Sequence, residues 1–248
     1  MRRRTPNVTY VARNQRALLQ ALEGLDLAAI TEVLEDLVLP ERAARIRAVL
    51  AARLDAVTVI MDAPHDPHNG AAVIRSCDAF GVQRLHVVER REGFLASTTV
   101  ARGSERWVDV HGYANTEAAT TALAASGHEL LATHPEGELV PADLAQIPRF
   151  ALVLGNEREG IDDELRAACT RSIRIPMRGF AESLNVSVTA AILLQHATEG
   201  RAGDLPQRER DFLLARALIL TIPRAPEILL FKGVSIGSLG DVASLYAP

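Results

Sequence analysis

Apolar positions along the chain change their period, and the changes divide it. From residue 13 to 39, Leu18, Leu19, Leu22, Leu25, Ile30, Val33, Leu34 and Leu37 recur at helical spacing, with a break at Gly24. Pro40 then opens another helix, expected over residues 41–54. After Asp55 short apolar runs take over. They predict strands at 57–61, 84–88, 107–110, 129–132, 151–154 and 171–175, with helices over 69–79, 117–126, 161–168 and 185–196. Strands separated by helices of this length imply an α/β fold, a parallel sheet flanked by helices on both faces. The expected layout is a helical N-terminal extension over 1–54, a sheet domain over 55–200, and a C-terminal extension over 201–248 containing an amphipathic helix at 208–220.

Residues 150–200 gather the polar corners of this pattern. Gly155 and Gly160 bracket a turn that carries Glu157, Arg158 and Glu159. Pro176 ends the sixth strand, because proline cannot donate to a ladder. Ser183, Asn185 and Ser187 suit the start of the last sheet-domain helix. All three corners fall at C-terminal ends of strands, where open α/β sheets bind their ligands.

Composition narrows the reading. The 248 residues are 48% hydrophobic, enough to bury a full core. A net charge of −4 excludes a protein that coats nucleic acid indiscriminately. Lys232 is the only lysine among 27 cationic residues, and the abundance of alanine beside arginine is explained by GC-rich codons. Two cysteines, Cys77 and Cys169, imply a reducing compartment rather than a disulfide scaffold. No apolar leader and no membrane-length run is seen, so a soluble cytoplasmic protein is expected. On the 41–54 helix, Arg42, Arg45 and Arg53 fall within an arc of roughly 80°, with Val49 inside it. Taken alone, that arc reads as a surface helix snorkelling its arginines.

Several chemistries fail on their signatures. Ile161-Asp162 stands where a P-loop requires Lys-Ser/Thr. No G-x-G-x-x-G follows a strand, and no G-x-S-x-G surrounds Ser183 or Ser187. His65 and His68, with Asp66 and Pro67 between them and no cysteine nearby, read as a turn rather than a metal site. Two positive features remain. Asn69 and Arg75 share a helix, and Arg75 sits among Ala71, Ala72, Val73, Ile74 and Ala79, so it is expected to be buried and partnered. Glu157 is the partner the pattern offers, either in a structural ion pair or in a site for an anion or polar substrate. Secondly, the loops around Gly155, Ile175 to Met177 and Leu184 set main-chain groups beside apolar side chains, which suits a flat heterocycle.

Three segments together resemble a known family. They are Asn69 to Arg75 with the following SCDAFG, Leu152 to Gly160 (LVLGNEREG), and Ile175 to Val188 (IPMRGFAESLNVSV). In this order they are similar to the three motifs of the SPOUT methyltransferases, specifically the TrmH-like RNA ribose 2′-O-methyltransferases. The resemblance covers about residues 40–196. It implies a C-terminal deep trefoil knot over about 150–200, a homodimer, and S-adenosyl-L-methionine bound in the knot. By position it assigns cofactor contacts to Thr133, Gly155, Ile175, Met177 and Leu184. Arg75 matches the catalytic arginine, with Asn69, Glu157, Ser183 and Asn185 orienting it and shaping the pocket. Arg42, Arg45 and Arg53 match arginines assigned to tRNA binding.

The segments Pro64 to Asn69 and Leu131 to His134 point further, to the subgroup that methylates guanosine-18 in the D-loop of tRNA. Departures stand against that detail: Asp66 replaces a lysine, residues 195–200 lack the subgroup's arginine-rich end, and residues 1–39 match nothing in it. Each lost cation weakens phosphate binding. The alternatives are ribosomal RNA or another tRNA position as substrate, or a non-catalytic RNA-binding protein that retains the knot.

Overall fold

The computed structural model describes residues 8–89, 94–156 and 158–243. In chain order the first elements are β1 (Val8–Tyr10), α1 (Val11–Leu22), α2 (Leu27–Glu35) and α3 (Pro40–Ala51). Next come β2 (Val57–Asp62), α4 (Pro67–Ala79), β3 (Arg84–Val88), β4 (Leu95–Ser97) and α5 (Thr98–Ala101). They are followed by β5 (Asp109–Tyr113), α6 (Thr116–Ala125), β6 (Glu129–Thr133), β7 (Phe150–Leu154), α7 (Asp163–Ala167) and β8 (Arg171–Ile173). Four helices finish the described chain: α8 (Val186–Thr198), α9 (Gln207–Thr221), α10 (Ala225–Phe231) and α11 (Leu239–Ala243). No helix among the described residues is long and apolar enough to cross a membrane.

The chain forms two compact units, divided inside α1. One holds the described residues up to Ala12 with Leu54–Arg201. Its sheet runs β5-β3-β2-β7-β6-β8, all pairs parallel. Every residue of β2 and β7 is buried, Thr58 and Asp62 of β2 included, as strands at the centre of a two-sided sheet must be. One face packs Val59, Met61, Leu152 and Leu154 against Val73, Cys77, Leu193 and Leu194 of α4 and α8. The other packs Ile60, Ala151 and Val153 against Ala119, Leu123 and Leu165 of α6 and α7. The expected α/β sheet with helices on both faces is present, and its central elements fall where the apolar runs placed them. A two-stranded antiparallel ribbon, β1 with β4, was not expected.

The second unit takes Arg13–Arg53 and the chain from Ala202 onward. The two extensions read as separate segments share one core: Leu18, Leu22, Ile30 and Leu34 pack with Leu214, Leu218, Leu229 and Leu239. Each segment alone offers only an amphipathic stripe, which cannot be buried without the other.

Arg102, at the C-terminal end of α5, has φ 49 and ψ 38, a left-handed conformation that costs a side-chain-bearing residue roughly 1–2 kcal/mol. His86 is 6% exposed and stacks with His111 at 5.3 Å and with Tyr113 at 5.7 Å, with Nδ1 3.0 Å from the tyrosine hydroxyl. Burial, with His111, His128 and Arg84 adding repulsion, pushes its imidazole down to about 3. The unfolded chain takes up a proton below pH 6.5 that the folded chain refuses, so stability falls as pH drops from 6.5 toward about 3. The slope approaches ~1.4 kcal/mol per pH unit. Urea denaturation at two pH values checks this. His86→Gln is expected to remove about 2 kcal/mol of the stability lost between pH ~7 and ~5.

Candidate active site

The site lies at the C-terminal edge of the first unit's sheet and is built from three chain crossings. The first follows β7. Gly155 approaches the returning chain so closely that a β-carbon there would lie 2.4 Å from Gly160 C and 2.6 Å from Ile161 N. Asn156 closes the turn, exchanging main-chain hydrogen bonds with Gly160 and accepting at Oδ1 from the Arg158 and Glu159 amides at 3.0 and 2.8 Å. Beyond the turn the Asp162 amide donates to Asp62 Oδ2 at 2.7 Å, fastening the loop to the buried end of β2. Glu157 lies outside the described residues.

The second crossing follows β8. His134 N donates to Ile173 O at 2.9 Å, Leu139 N to Ser172 O at 3.0 Å, and Arg174 N to Leu139 O at 2.9 Å. Past Arg174 this stitching stops. Among the described residues, the main chain from Ile175 to Leu184 makes no hydrogen bond. Its N–H and C=O groups are available to a ligand.

The third crossing is the start of α8. Asn185 Oδ1 accepts from the Ser187 amide at 2.8 Å and the Ser187 hydroxyl at 2.6 Å, capping the helix. Its Nδ2 donates to Asn69 Oδ1 at 3.1 Å, linking α8 to the first turn of α4. Asn185→Ala is expected to cost about 1 kcal/mol as a lost cap. Loss of the Asn69 contact as well predicts a fall in turnover larger than the shift in melting temperature accounts for, measured by steady-state assay beside thermal melting.

Together these crossings enclose a cavity of ≈ 550 Å³, within the range of small-molecule sites. Thr133, Gly155, Ile175, Met177 and Leu184, the five expected cofactor residues, all line it, as do Ser183 and Asn185. Asn156, Ile161, Thr189 and Leu193 line it too and were not singled out from the sequence. An Asn following a strand-end glycine is a turn signal that pointed to the first of them. The Thr133 hydroxyl is committed to Val153 O at 2.9 Å, so this residue faces the cavity as a wall.

Arg75 and Asn69 do not line this cavity. Asn69 reaches it through Asn185. Arg75 is exposed, against the expectation that its apolar neighbours bury it. On α4 the buried positions are Gly70, Ala71, Val73, Ile74 and Cys77, whereas Arg75 falls on the open side with His68 and Ala79. Of the alanines beside it, Ala71 belongs to the core, whereas Ala72 and Ala79 are small residues of that rim. Arg42 and Arg45 are exposed on α3. Arg53 does not join them, because α3 ends at Ala51 and Arg53 is 2% exposed. The arc drawn through all three arginines therefore holds for two.

A family model described as the SpoU rRNA Methylase family matches residues 56–195, more than half of the chain. The chain belongs to the SpoU methylase family. Within it, the chain is 37% identical over 185 residues to the tRNA (guanosine(18)-2′-O)-methyltransferase of Escherichia coli K12, covering 71% of this chain and 81% of the relative. Among solved structures it is similar to the A. aeolicus TrmH/SpoU tRNA modifying enzyme, with a TM-score of 0.60, 28% identity, and coverage of 87% and 99% of the two chains. An AdoMet-bound rRNA methyltransferase from Sinorhizobium meliloti matches with a TM-score of 0.52 and 29% identity, over 61% of this chain and 59% of that one. The SpoU methylases transfer a methyl group from S-adenosylmethionine to a ribose 2′-hydroxyl of RNA. The three sequence motifs fall on the elements of the site: the first on α4, the second on β7 and its turn, the third on the loop after β8 and the start of α8.

Proposed function

We propose that this SpoU methylase methylates the ribose 2′-hydroxyl of guanosine-18 in tRNA, with S-adenosyl-L-methionine held in the cavity at the sheet edge. The observation that carries the reading is the convergence on one cavity of residues from the second and third motifs with Thr133, and the hydrogen bond by which Asn185 ties them to Asn69 on the helix that bears the first motif and Arg75. The lining fits the cofactor. Ile161, Ile175, Leu184 and Leu193 offer apolar surface to an adenine ring, and the unpaired main chain of 175–184 offers donors and acceptors to its edge. S-adenosylmethionine supplies an electrophilic methyl on a sulfonium.

The chain's own residues do the rest. The Gly155 turn and the 175–184 loop hold the donor and exclude water. Asn69 and Asn185 fix α4 against α8. Arg75 orients the ribose hydroxyl and stabilises the negative charge that develops on its oxygen as the hydroxyl proton leaves to bulk solvent, because a guanidinium keeps its own proton and is better placed as a charge than as a base.

The 150–200 segment is proposed to thread a trefoil knot. A second copy is proposed to cover Met177, Phe180, Leu184 and Val188, large apolar side chains left exposed beside the cavity. Arg42 and Arg45 are proposed to contact tRNA phosphates. Incubating the protein with an unmodified tRNA transcript and cofactor, then mapping methylated nucleosides by mass spectrometry, tests the substrate. A methyl on guanosine-18 is expected. Methylation of ribosomal RNA fragments with tRNA untouched would transfer the reading to the rRNA alternative, which the family's description also names.

A further inference from the structure

We infer that Arg102 contacts a phosphate of the RNA substrate beside the catalytic helix, an inference that rests on the RNA methyl-transfer reading above. Residues 94–106 are fastened along α4 from one end to the other. At the first turn the Phe94 ring lies over Gly70, where a β-carbon would sit 2.6 Å from Phe94 Cε2. Ala101 is fully buried. At the last turn the Ser104 hydroxyl donates to Asp78 Oδ2 at 3.0 Å.

Asp78 lies one helical turn past Arg75. The Cα atoms of Arg75 and Asp78 are about 5 Å apart, and those of Arg102 and Ser104 at most about 7 Å. With one side-chain hydrogen bond joining the two pairs, Arg102 stands within roughly 20 Å of Arg75 between Cα atoms. Both side chains are long, and a strand that brings a ribose to Arg75 passes within a few nucleotides of Arg102.

The backbone supplies the second argument. The Arg102 amide closes α5 by donating to Thr98 O at 3.0 Å, with φ 49, and Gly103 follows at φ 91. This is a helix-terminating position where glycine fits without strain. Arginine there weakens the fold and returns nothing to it. Among the described residues its exposed side chain makes no hydrogen bond or ion pair. The nearby acids are otherwise engaged: Asp78 is bonded to Ser104, and Glu105 has interactions of its own. A cation kept in a strained position, projecting from a segment strapped to the catalytic helix, suits a phosphate. The chain's net charge of −4 provides no cationic background that would make one contact redundant.

Arg102→Gly separates the two roles because they move in opposite directions. It removes the charge and relieves the backbone. We expect a melting temperature no lower than that of the wild type, unchanged S-adenosylmethionine affinity, and a Kd for unmodified tRNA transcript raised about fivefold. The slope of log Kd against log salt should shrink by about one, and Arg102→Lys should restore it. A wild-type Kd and salt slope in Arg102→Gly would overturn the inference. So would a lower melting temperature with cofactor binding lost, which would assign the side chain to the fold. If the wild-type protein neither binds nor methylates the tRNA, the methyl-transfer reading fails. If it does both while Arg102→Gly is unchanged, only the present inference fails.

Discussion

Arg75→Ala is expected to lower kcat for RNA methylation by about 10²–10³-fold, the loss typical of one preorganised group facing developing charge. S-adenosylmethionine should still bind with its wild-type affinity by calorimetry, because Arg75 is not among the residues that line the cavity. Nor should the melting temperature fall by much: the side chain is exposed, and its removal leaves no hole in the core. Arg75→Lys sharpens the assignment. It keeps the charge and loses the planar fork, so a residue acting by bidentate orientation stays impaired, whereas one acting only as a charge recovers. Retained turnover in the alanine variant, or lost cofactor binding, would remove Arg75 from the catalytic role proposed for it.

Gly155→Ala is expected to abolish cofactor binding. The added methyl would meet main-chain atoms of Gly160 and Ile161 at 2.4 and 2.6 Å, and neither can swing aside like a side chain. The turn must open, moving the Ile161 wall and the anchorage of Asp162 on Asp62. Crowding of this kind costs about 1–3 kcal/mol, and the cavity takes the distortion directly. Gly160→Ala is the control. Gly160 has φ 74 and open space around its would-be β-carbon, so alanine there carries backbone strain without a collision. Calorimetric titration of both variants should show loss of binding at Gly155 and a smaller effect at Gly160. Equal affinities in the two would mean that the close approach at Gly155 does not shape the site.

The parallel sheet was legible because each central strand is a mainly apolar run between turn residues, and the loops around Gly155, Ile175 to Met177 and Leu184 because they set polar corners beside apolar side chains; Thr133 came only from the resemblance to the methyltransferase motifs. What escaped has specific causes. The three-residue strand β1 gains its meaning only by pairing with β4, from Val8 across to Ser97, and no local period reports such a partner. Arg53 was drawn onto a helix because residues 41–54 keep a helical rhythm, yet the chain leaves the helix at Ala52 and turns the arginine inward. Arg75 was expected in the interior because apolar neighbours flank it in sequence. On the helix they divide between a buried side and a rim of alanines, and alanine is small enough to occupy either.

The helical unit drawn from both chain ends has a consequence for biosynthesis. Its first three helices leave the ribosome early, yet the leucines that cover them arrive only with α9 to α11, after the whole sheet unit has been translated. Those early segments must wait as bare amphipathic helices, a state prone to off-pathway association. A nascent chain halted near residue 203 should keep its amino-terminal helices protease-sensitive and accessible to chaperones, and translation through α11 should close them in a single late step.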